Sequence, residues 1–494
     1  MVVNSFVFFA FFVVVFIIYY LPISRKNTKY QNVWLFLTSY FFYGYAEWKM
    51  IPLLLVSTIT FYVIGLWLKS EMIKKNTKRS SYITTLGTVL GIGILLYFKY
   101  LNFFAESFSL FLTDLGFNVS WTTLNIVLPI GVSFFTFKLI SYVIEIHREH
   151  IEPCKNFVDF GTYIAFFPTI LSGPIDRPNK FIPQLKNIRS FNYCLSVDGC
   201  RQILWGMFTK MCIADNLGTT IDYVWNDYSS QSATALVVTA LLYPIQVYAD
   251  FDGYSNMAIG VGKVLGFHIE RNFNHPFLAR NIAEYWRKWH ISLTGWLTDY
   301  IFSPLNIMFR DLQNMGVILA IIINFVIIGF WHGANWTFGF FGLYHGLLYI
   351  PLVISGSFAR PKKLKANAYG FPKIADFLKM LLTFCFVALG LVLFRAPSLL
   401  DSYNYLISII MLQNGFHIGP LGSMIISDIW IYVFAIVIMI LEWTTRNHEY
   451  PLQFSSFGLF RFRIIRWTVY FLLCSLLFFF TNPGSSQDFI YFQF

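Results

Sequence analysis

Long apolar runs without charged residues recur along the chain and are separated by short clusters of basic residues. The runs Phe6–Leu21 and Val317–Trp331, for example, contain no Asp, Glu, Lys or Arg. Only 12% of the 494 residues are charged, whereas a soluble domain carries roughly 25%. Since this leaves too little polar surface to cover the molecule in water, the pattern predicts a protein that lies mostly in lipid. It excludes a disordered, collagenous or disulfide-rich chain.

The apolar runs also predict the fold class. Because a membrane-spanning helix needs about 20 residues, the length suits an all-α polytopic membrane protein with about 10–12 transmembrane helices and short re-entrant or interfacial helices. We expect one membrane domain over residues 1–494, with N-terminal helices over 1–143, a core of broken helices over 144–346 and C-terminal helices over 347–494. Irregular backbone at membrane depth is tolerated only inside protein or beside a wet cavity, so the core is expected to carry the function.

The basic clusters predict the orientation. Clusters such as Lys69–Arg79 and Arg360–Lys365 lie between apolar runs, and the positive-inside rule assigns them to the cytoplasm. The alternation of runs and clusters then places both termini outside, with the short run 403–413 at the outer face. Phe6–Leu21 lacks the charged start of a signal peptide and is expected to be a retained helix. The net charge of +11 is therefore assigned to cytoplasmic loops and not to nucleic-acid binding.

His332 follows the apolar run Val317–Trp331 directly. Gly333 is predicted to end this helix and Asn335 to cap the next one. An ionisable side chain at this depth is a functional-site hypothesis by default. On this segment alone, a catalytic histidine and a core histidine bonded to a neighbouring helix are equally favoured.

His290 ends the segment Tyr285–His290, which mixes aromatic and basic residues. Helical spacing predicts that Trp286 and His290 share one face while Arg287 and Lys288 point elsewhere. The mixture is typical of a helix at the membrane interface. For Arg287 and Lys288 taken alone, a surface anchor without chemistry is the favoured interpretation.

Other motifs are weaker. Asp250 and Asp252 form a D-x-D pattern, which some glycosyltransferases use to hold a metal. Alternatively, Asp252 caps a helix that starts near Tyr254, or the pair lines a polar cavity. Ser172–Arg177 is expected to be a structural bend, and His345 is expected mainly to pack between helices. The six cysteines have no CxxC spacing, so neither a zinc site nor a disulfide framework is indicated.

Six segments together resemble the membrane-bound O-acyltransferase family, and most closely its bacterial branch that supplies acetyl groups for polysaccharide O-acetylation. They occur in family order between residues 128 and 494. The segments are LPIGVSFFTFKLISY (128–142), SGPIDRPNKFIPQL (172–185), QVYADFDGYSNMAIGVGKVLGF (246–267), NFNHPFLARNIAEYWRKWHISLTGWLTDYIFSPL (272–305), GFWHGANWTFGFFGLYHG (329–346) and FIYFQF (489–494).

The resemblance implies helices around a central tunnel in a bacterial plasma membrane. It implies that acetyl groups from cytoplasmic acetyl-CoA cross the membrane to an outside polysaccharide, such as alginate, another exopolysaccharide or peptidoglycan, with a periplasmic acetyltransferase as partner and no bound metal. His332 matches the family's membrane histidine and is expected to be the general base. His290 matches its second polar position and is expected to orient the acceptor or stabilise the oxyanion. The cations expected to attract the phosphates of CoA are Arg177, Lys180, Arg287 and Lys288.

Three alternatives remain open from the sequence. Within the family, a related branch moves D-alanine from a carrier protein onto teichoic acid, although the ending FIYFQF favours the acetylation branch. A polytopic glycosyltransferase would need Asp250 and Asp252 as metal ligands. A transporter or flippase could also use intramembrane histidines, but the two halves show no matching pair of broken helices.

Overall fold

The computed structural model describes residues 3–21, 27–117, 126–358, 370–417, 420–454, 459–481 and 489–490. These parts are mostly helical and contain no β-strand, which confirms the predicted all-α class. The basic loop at 360–365, two basic residues of the first cluster (Arg25 and Lys26) and the last four residues of FIYFQF lie outside the described residues.

The chain divides into two compact units, and the first comprises Met1–Cys200 and Ala258–Glu270. Its helices are α1 (Phe6–Tyr19), α2 (Thr28–Glu47), α3 (Ile51–Ile73), α4 (Thr77–Leu95), α5 (Leu101–Asp114), α6 (Val132–His147), α7 (Phe157–Ala165), α8 (Pro178–Leu185) and most of α9 (Tyr193–Met207). The bend predicted over Ser172–Arg177 is confirmed, since these residues form a turn and an extended stretch before α8.

The second unit comprises Arg201–Met257 and Arg271–Phe494. Its helices are α10 (Asp215–Asn226), most of α11 (Ala233–Val264), α12 (Ile282–Trp286), α13 (Ile291–Leu297), α14 (Ser303–Met308), α15 (Gln313–His332), α16 (Trp336–Leu347), α17 (Ile350–Ile354), α18 (Ile374–Arg395), α19 (Leu399–Ile410), α20 (Pro420–Ser427), α21 (Ile429–Thr444) and α22 (Arg463–Phe480). Two π-helical segments, Phe208–Ala214 and Thr298–Phe302, extend α9 and α13.

Seven helical runs in the described residues are long and apolar enough to cross a membrane. They are Thr28–Ile73, Thr77–Asp114, Ala233–Val264, Arg310–His332, Trp336–Ile354, Ile374–Arg395 and Arg463–Phe480, with α1 and α21 as shorter apolar helices. In four of these runs, less than half of the most apolar 18-residue stretch is buried within the protein. In α22 the buried share is only 11%. The chain is therefore a multi-pass membrane protein whose outward apolar faces suit lipid.

Predicted helix bounds hold where an apolar run ends at a charged or polar cluster, and they shift where glycine or proline intervenes. The helix predicted over 122–143 begins only at Val132, because Gly131 before it has a φ of 75°. A Cβ at Gly131 would collide with the carbonyl oxygen of Ile170, so glycine is required there. The helix predicted over 423–442 is divided at Asp428 into α20 and α21.

Helices α15 and α16 form an antiparallel pair whose backbones approach closely. A Cβ added to Gly342 would collide with the carbonyl of Phe325, and one added to Gly329 would collide with the carbonyl of Phe338. Small residues permit such approach between membrane helices. Because His332 is the last residue of α15, this contact fixes the position of its backbone.

We expect Gly342→Ala to destabilise the protein by about 1–3 kcal/mol, since the added methyl group must push α16 away from α15. The matched control is Gly93→Ala, because Gly93 is also helical but a Cβ there meets nothing within 4 Å. Alanine at such a site is expected to be neutral or stabilising. Thermal unfolding of the purified variants in detergent measures the difference, and equal midpoints would contradict the close-packing argument.

Candidate active site

His332 ends α15, and Gly333 follows it in an extended conformation. Glycine is needed there because a Cβ would collide with the ring of Phe338. Asn335 caps α16 as predicted, since its side chain accepts a hydrogen bond from the backbone N–H of Thr337 at 3.1 Å. The helix end thus fixes a histidine that is only 3% exposed.

A small cavity of about 10 Å³, with room for roughly one water molecule, lies beside His332. Its walls include Val247, Trp286, Phe341, Val387, Leu391 and Phe394. His345 lines the same cavity and accepts a hydrogen bond from the indole N–H of Trp286 at 3.3 Å. The sequence predicted mainly a packing role for His345 and did not place it in a cavity with His332.

His290 lies near His332, with the two ring centroids 6.3 Å apart. Its ring also contacts Phe251 at 4.6 Å and Trp331 at 5.4 Å, and the residue is fully buried. Burial, and then the charge of His332, hold the pKa of His290 well below its usual range. The structure therefore brings together the two histidines that the sequence singled out, and His290 is neutral near pH 7.

The prediction that Trp286 and His290 share one helix face is wrong. Helix α12 ends at Trp286, and His290 adopts a left-handed conformation with a φ of 44° directly before α13. Such a conformation costs a non-glycine residue about 1–3 kcal/mol and persists only where the surroundings impose it. Here the backbone N–H of Ile291 donates to the carbonyl of Asn272 at 2.8 Å. The hydroxyl of Ser292 donates to the side chain of Asn272 at 2.6 Å.

A larger groove of about 410 Å³ runs along α13 and α15. Trp286 lines both this groove and the small cavity beside His332. Arg287 is exposed, lines the groove and donates one hydrogen bond to the carbonyl of Phe358. The groove is otherwise mainly apolar, although Thr294, Thr298 and Asp299 also line it.

Asn324 adds a polar group to this apolar groove. It is 7% exposed, and its Oδ1 has no hydrogen-bond partner among the described residues. Sequence reasoning missed it, although a signal was present: it is the one polar side chain in the run Val317–Trp331. A buried carbonyl oxygen in a groove is suited to accept a hydrogen bond from a ligand N–H.

The four cations predicted to attract phosphate differ in their surroundings. In the first unit, Arg177 is buried, and Lys180 is exposed but ion-paired with Glu270. In the second unit, Lys288 is half-buried, and burial lowers its pKa. Arg287 combines exposure with a position on the groove.

Asp250 and Asp252 do not face one site. Both lie inside α11, so the prediction that Asp252 caps a helix near Tyr254 is wrong. Asp250 forms a buried ion pair with Lys210 and accepts a hydrogen bond from the backbone N–H of Ile490 at 2.9 Å. It therefore holds the C-terminal segment against α11.

Asp252 lines a separate polar cavity with His275 and Glu442. His275 Nδ1 lies 3.2 Å from Glu442 Oε1, and the hydroxyl of Tyr248 donates to the same oxygen at 2.6 Å. Of the alternatives for the D-x-D pattern, only the polar cavity fits, and only for Asp252. Within the described ranges, no group of three His, Cys, Asp or Glu side chains is placed to hold a metal ion.

These features describe a membrane protein with buried histidines among its helices. The rings of His290 and His332 lie 6.3 Å apart. His332 lines a small cavity, and Trp286 lines both this cavity and the larger groove. A profile of the MBOAT, membrane-bound O-acyltransferase family, matches residues 37–392. The chain belongs to this family and is an O-acyltransferase, as the six segments indicated.

Curated relatives are similar over most of their length. A Pseudomonas aeruginosa protein named probable alginate O-acetylase AlgI is 34% identical over 81% of this chain and 73% of its own. A Helicobacter pylori protein named peptidoglycan O-acetyltransferase is 30% identical over 98% of this chain and 96% of its own. A Streptococcus thermophilus protein named teichoic acid D-alanyltransferase is 30% identical over 47% of this chain and 58% of its own.

Proposed function

We propose that the protein transfers acetyl groups from cytoplasmic acetyl-CoA across a bacterial plasma membrane for O-acetylation of an extracytoplasmic polysaccharide. The observation that carries this proposal is the buried pair His332 and His290, whose rings lie 6.3 Å apart in a member of the membrane-bound O-acyltransferase family. The names of the relatives favour acetyl as the acyl group and alginate or peptidoglycan as the acceptor class. Both termini are proposed to lie outside.

His332 acts as the general base in this proposal. It takes the proton of the acceptor hydroxyl while the oxygen attacks the thioester carbonyl, the carbon–sulfur bond breaks, and the proton passes to the thiolate of CoA. An imidazole is suited to both transfers near neutral pH. His290, neutral because burial lowers its pKa, can donate an N–H to the oxyanion of the tetrahedral intermediate. The apolar cavity walls limit hydrolysis of the thioester.

The groove along α13 and α15 is proposed to hold the pantetheine arm of acetyl-CoA. The arm is long, thin and mostly apolar, but its two amide N–H groups need acceptors. Asn324 offers a buried carbonyl oxygen in the groove, and Arg287 offers an exposed guanidinium for phosphate. The thioester would then reach His332 past the indole of Trp286, which lines both spaces.

Replacing Asn324 by leucine should raise the KM for acetyl-CoA about tenfold with a smaller change in kcat, because a lost hydrogen bond of about 1–1.5 kcal/mol weakens donor binding. The assay uses membranes containing the full-length protein, labelled acetyl-CoA and a polysaccharide acceptor. Asn314→Leu is the matched control, since Asn314 lies on the same helix but is exposed. An unchanged KM in Asn324→Leu would contradict the proposal that the groove binds acetyl-CoA.

The same assay, repeated with a D-alanyl carrier protein as donor, distinguishes acetyl transfer from D-alanyl transfer. Label from acetyl-CoA should reach the acceptor, whereas a D-alanyl carrier protein should not act as donor. A D-alanyl group carries an ammonium ion, and no Asp or Glu is present among the residues that line the cavity beside His332. Transfer from the carrier protein alone would overturn the acetyl assignment and favour the D-alanyl branch.

A periplasmic acetyltransferase is proposed as the partner that completes the reaction on the polymer. This proposal rests on the short predicted outside loops, which offer no domain large enough to grip a polysaccharide. The acceptor is identified by finding which hydroxyl is acetylated in a wild-type strain and not in a strain with His332→Ala. Acetylation of no hydroxyl in either strain would overturn the proposed function.

A further inference from the structure

The cavity beside His332 is much smaller than the groove along α13 and α15, with a volume of about 10 Å³ against about 410 Å³. The small cavity has room for roughly one water-sized group, which is close to the size of a methyl group. The side chains Val387 and Leu391 of α18 form its aliphatic wall. Its volume therefore suits a methyl group better than a longer acyl chain.

The walls of this cavity are held by contacts on several sides. The indole of Trp286 is hydrogen-bonded to His345, and the ring of Phe341 lies 4.6 Å from the His345 ring and 5.3 Å from the Phe394 ring. A Cβ at Gly390 would press against the His345 ring, so α18 already packs closely on α16. Each aromatic wall of the cavity therefore packs against the next, and such packing opposes rotation of these side chains.

We infer that this cavity holds the methyl group of the transferred acyl group, and that Leu391 and Val387 limit that group to two carbons. The inference rests on the proposed function, and it assigns the choice of acyl group to α18 instead of to the catalytic histidines. A longer acyl chain would place its extra methylene against Leu391. One methylene in a shaped apolar pocket changes selectivity by roughly 10–200-fold.

The test compares acetyl-CoA with propionyl-CoA as donor to the same acceptor, in membranes containing the full-length protein. The wild type should prefer acetyl by roughly 10–200-fold in kcat/KM. Leu391→Ala removes side-chain carbons from the cavity wall and should admit the longer chain. The ratio of kcat/KM for acetyl-CoA to that for propionyl-CoA should then fall at least about tenfold. Val387→Ala should act in the same direction with a smaller effect, because it removes fewer carbons.

Val392→Ala is the matched control, since Val392 is equally buried on α18 but does not line the cavity. Its preference for acetyl should equal that of the wild type. If Leu391→Ala fails to accumulate, Val387→Ala carries the test. Wild-type preference in Val387→Ala or in an accumulated Leu391→Ala, with acetyl transfer intact, would overturn this inference and leave the proposed function standing. A wild-type protein that transfers neither acyl group would overturn the proposed function itself.

Discussion

His332→Ala should reduce O-acetylation by about 10²–10⁴-fold, because it removes the imidazole proposed as the general base. The variant should still insert and accumulate. His332 is the last residue of α15, Gly333 after it is extended, and α15 packs closely on α16 at Gly342. Ester content of the acceptor, normalised to the amount of protein in the membrane, measures the effect.

Variants of two further histidines serve as comparisons for His332→Ala. His290→Ala should have an effect weaker than or equal to that of His332→Ala, since an oxyanion donor contributes roughly 10²–10³-fold. His417→Ala should leave acetylation unchanged, because His417 is exposed in a loop. Normal acetylation in His332→Ala would remove the histidine from the mechanism. No change in His290→Ala would return that residue to a packing role.

The fold class followed from the sequence because run length and charge are local properties. A span needs about 20 apolar residues whatever it packs against. The apolar runs at about 32–47, 51–68, 376–395 and 465–480 predict four helices, and α2, α3, α18 and α22 lie close to these positions. The break at Asp428 and the late start of α6 depend on turn chemistry, which apolar periodicity does not report. The helix bounds were therefore less predictable than the helices themselves.

The candidate active site was only partly predictable, for a related reason. His332 could be found because an ionisable residue at the end of an apolar run is locally conspicuous. The left-handed backbone of His290 could not be predicted in this way. The residues that follow it, Ile291 and Ser292, are hydrogen-bonded to Asn272, which is not a neighbour in the sequence. The separation of Asp250 from Asp252 could have been foreseen, because two residues two positions apart on a helix point to different sides.

Lys210 shows most clearly what sequence reasoning missed. Its side chain is 4% exposed and lies 2.7 Å from Asp215 Oδ1, and it forms a second ion pair with Asp250. The partners come from α10 and α11, and Lys210 itself lies in the π-helical segment Phe208–Ala214. The sequence alone does not show that Lys210 is paired, because one of its two partners, Asp250, is distant in the chain.

Lys210→Met should therefore destabilise the protein by about 3–5 kcal/mol, because it leaves the buried carboxylates of Asp215 and Asp250 without a compensating charge. Chemical unfolding in detergent measures the change. Lys180→Met is the matched control: Lys180 forms an exposed ion pair with Glu270, and such a pair contributes only about 0–1 kcal/mol.

The destabilisation in Lys210→Met should depend on pH in a defined direction. Burial already raises the pKa of Asp215 to about 6 with Lys210 present, and removal of the cation raises this pKa further. A carboxyl group whose pKa is higher in the folded state than in the unfolded state binds protons on folding, so stability rises as the pH falls. The difference between Lys210→Met and wild type should hence be largest above pH 7 and shrink toward pH 5. A difference that is independent of pH would mean that lost packing, and not buried negative charge, destabilises Lys210→Met.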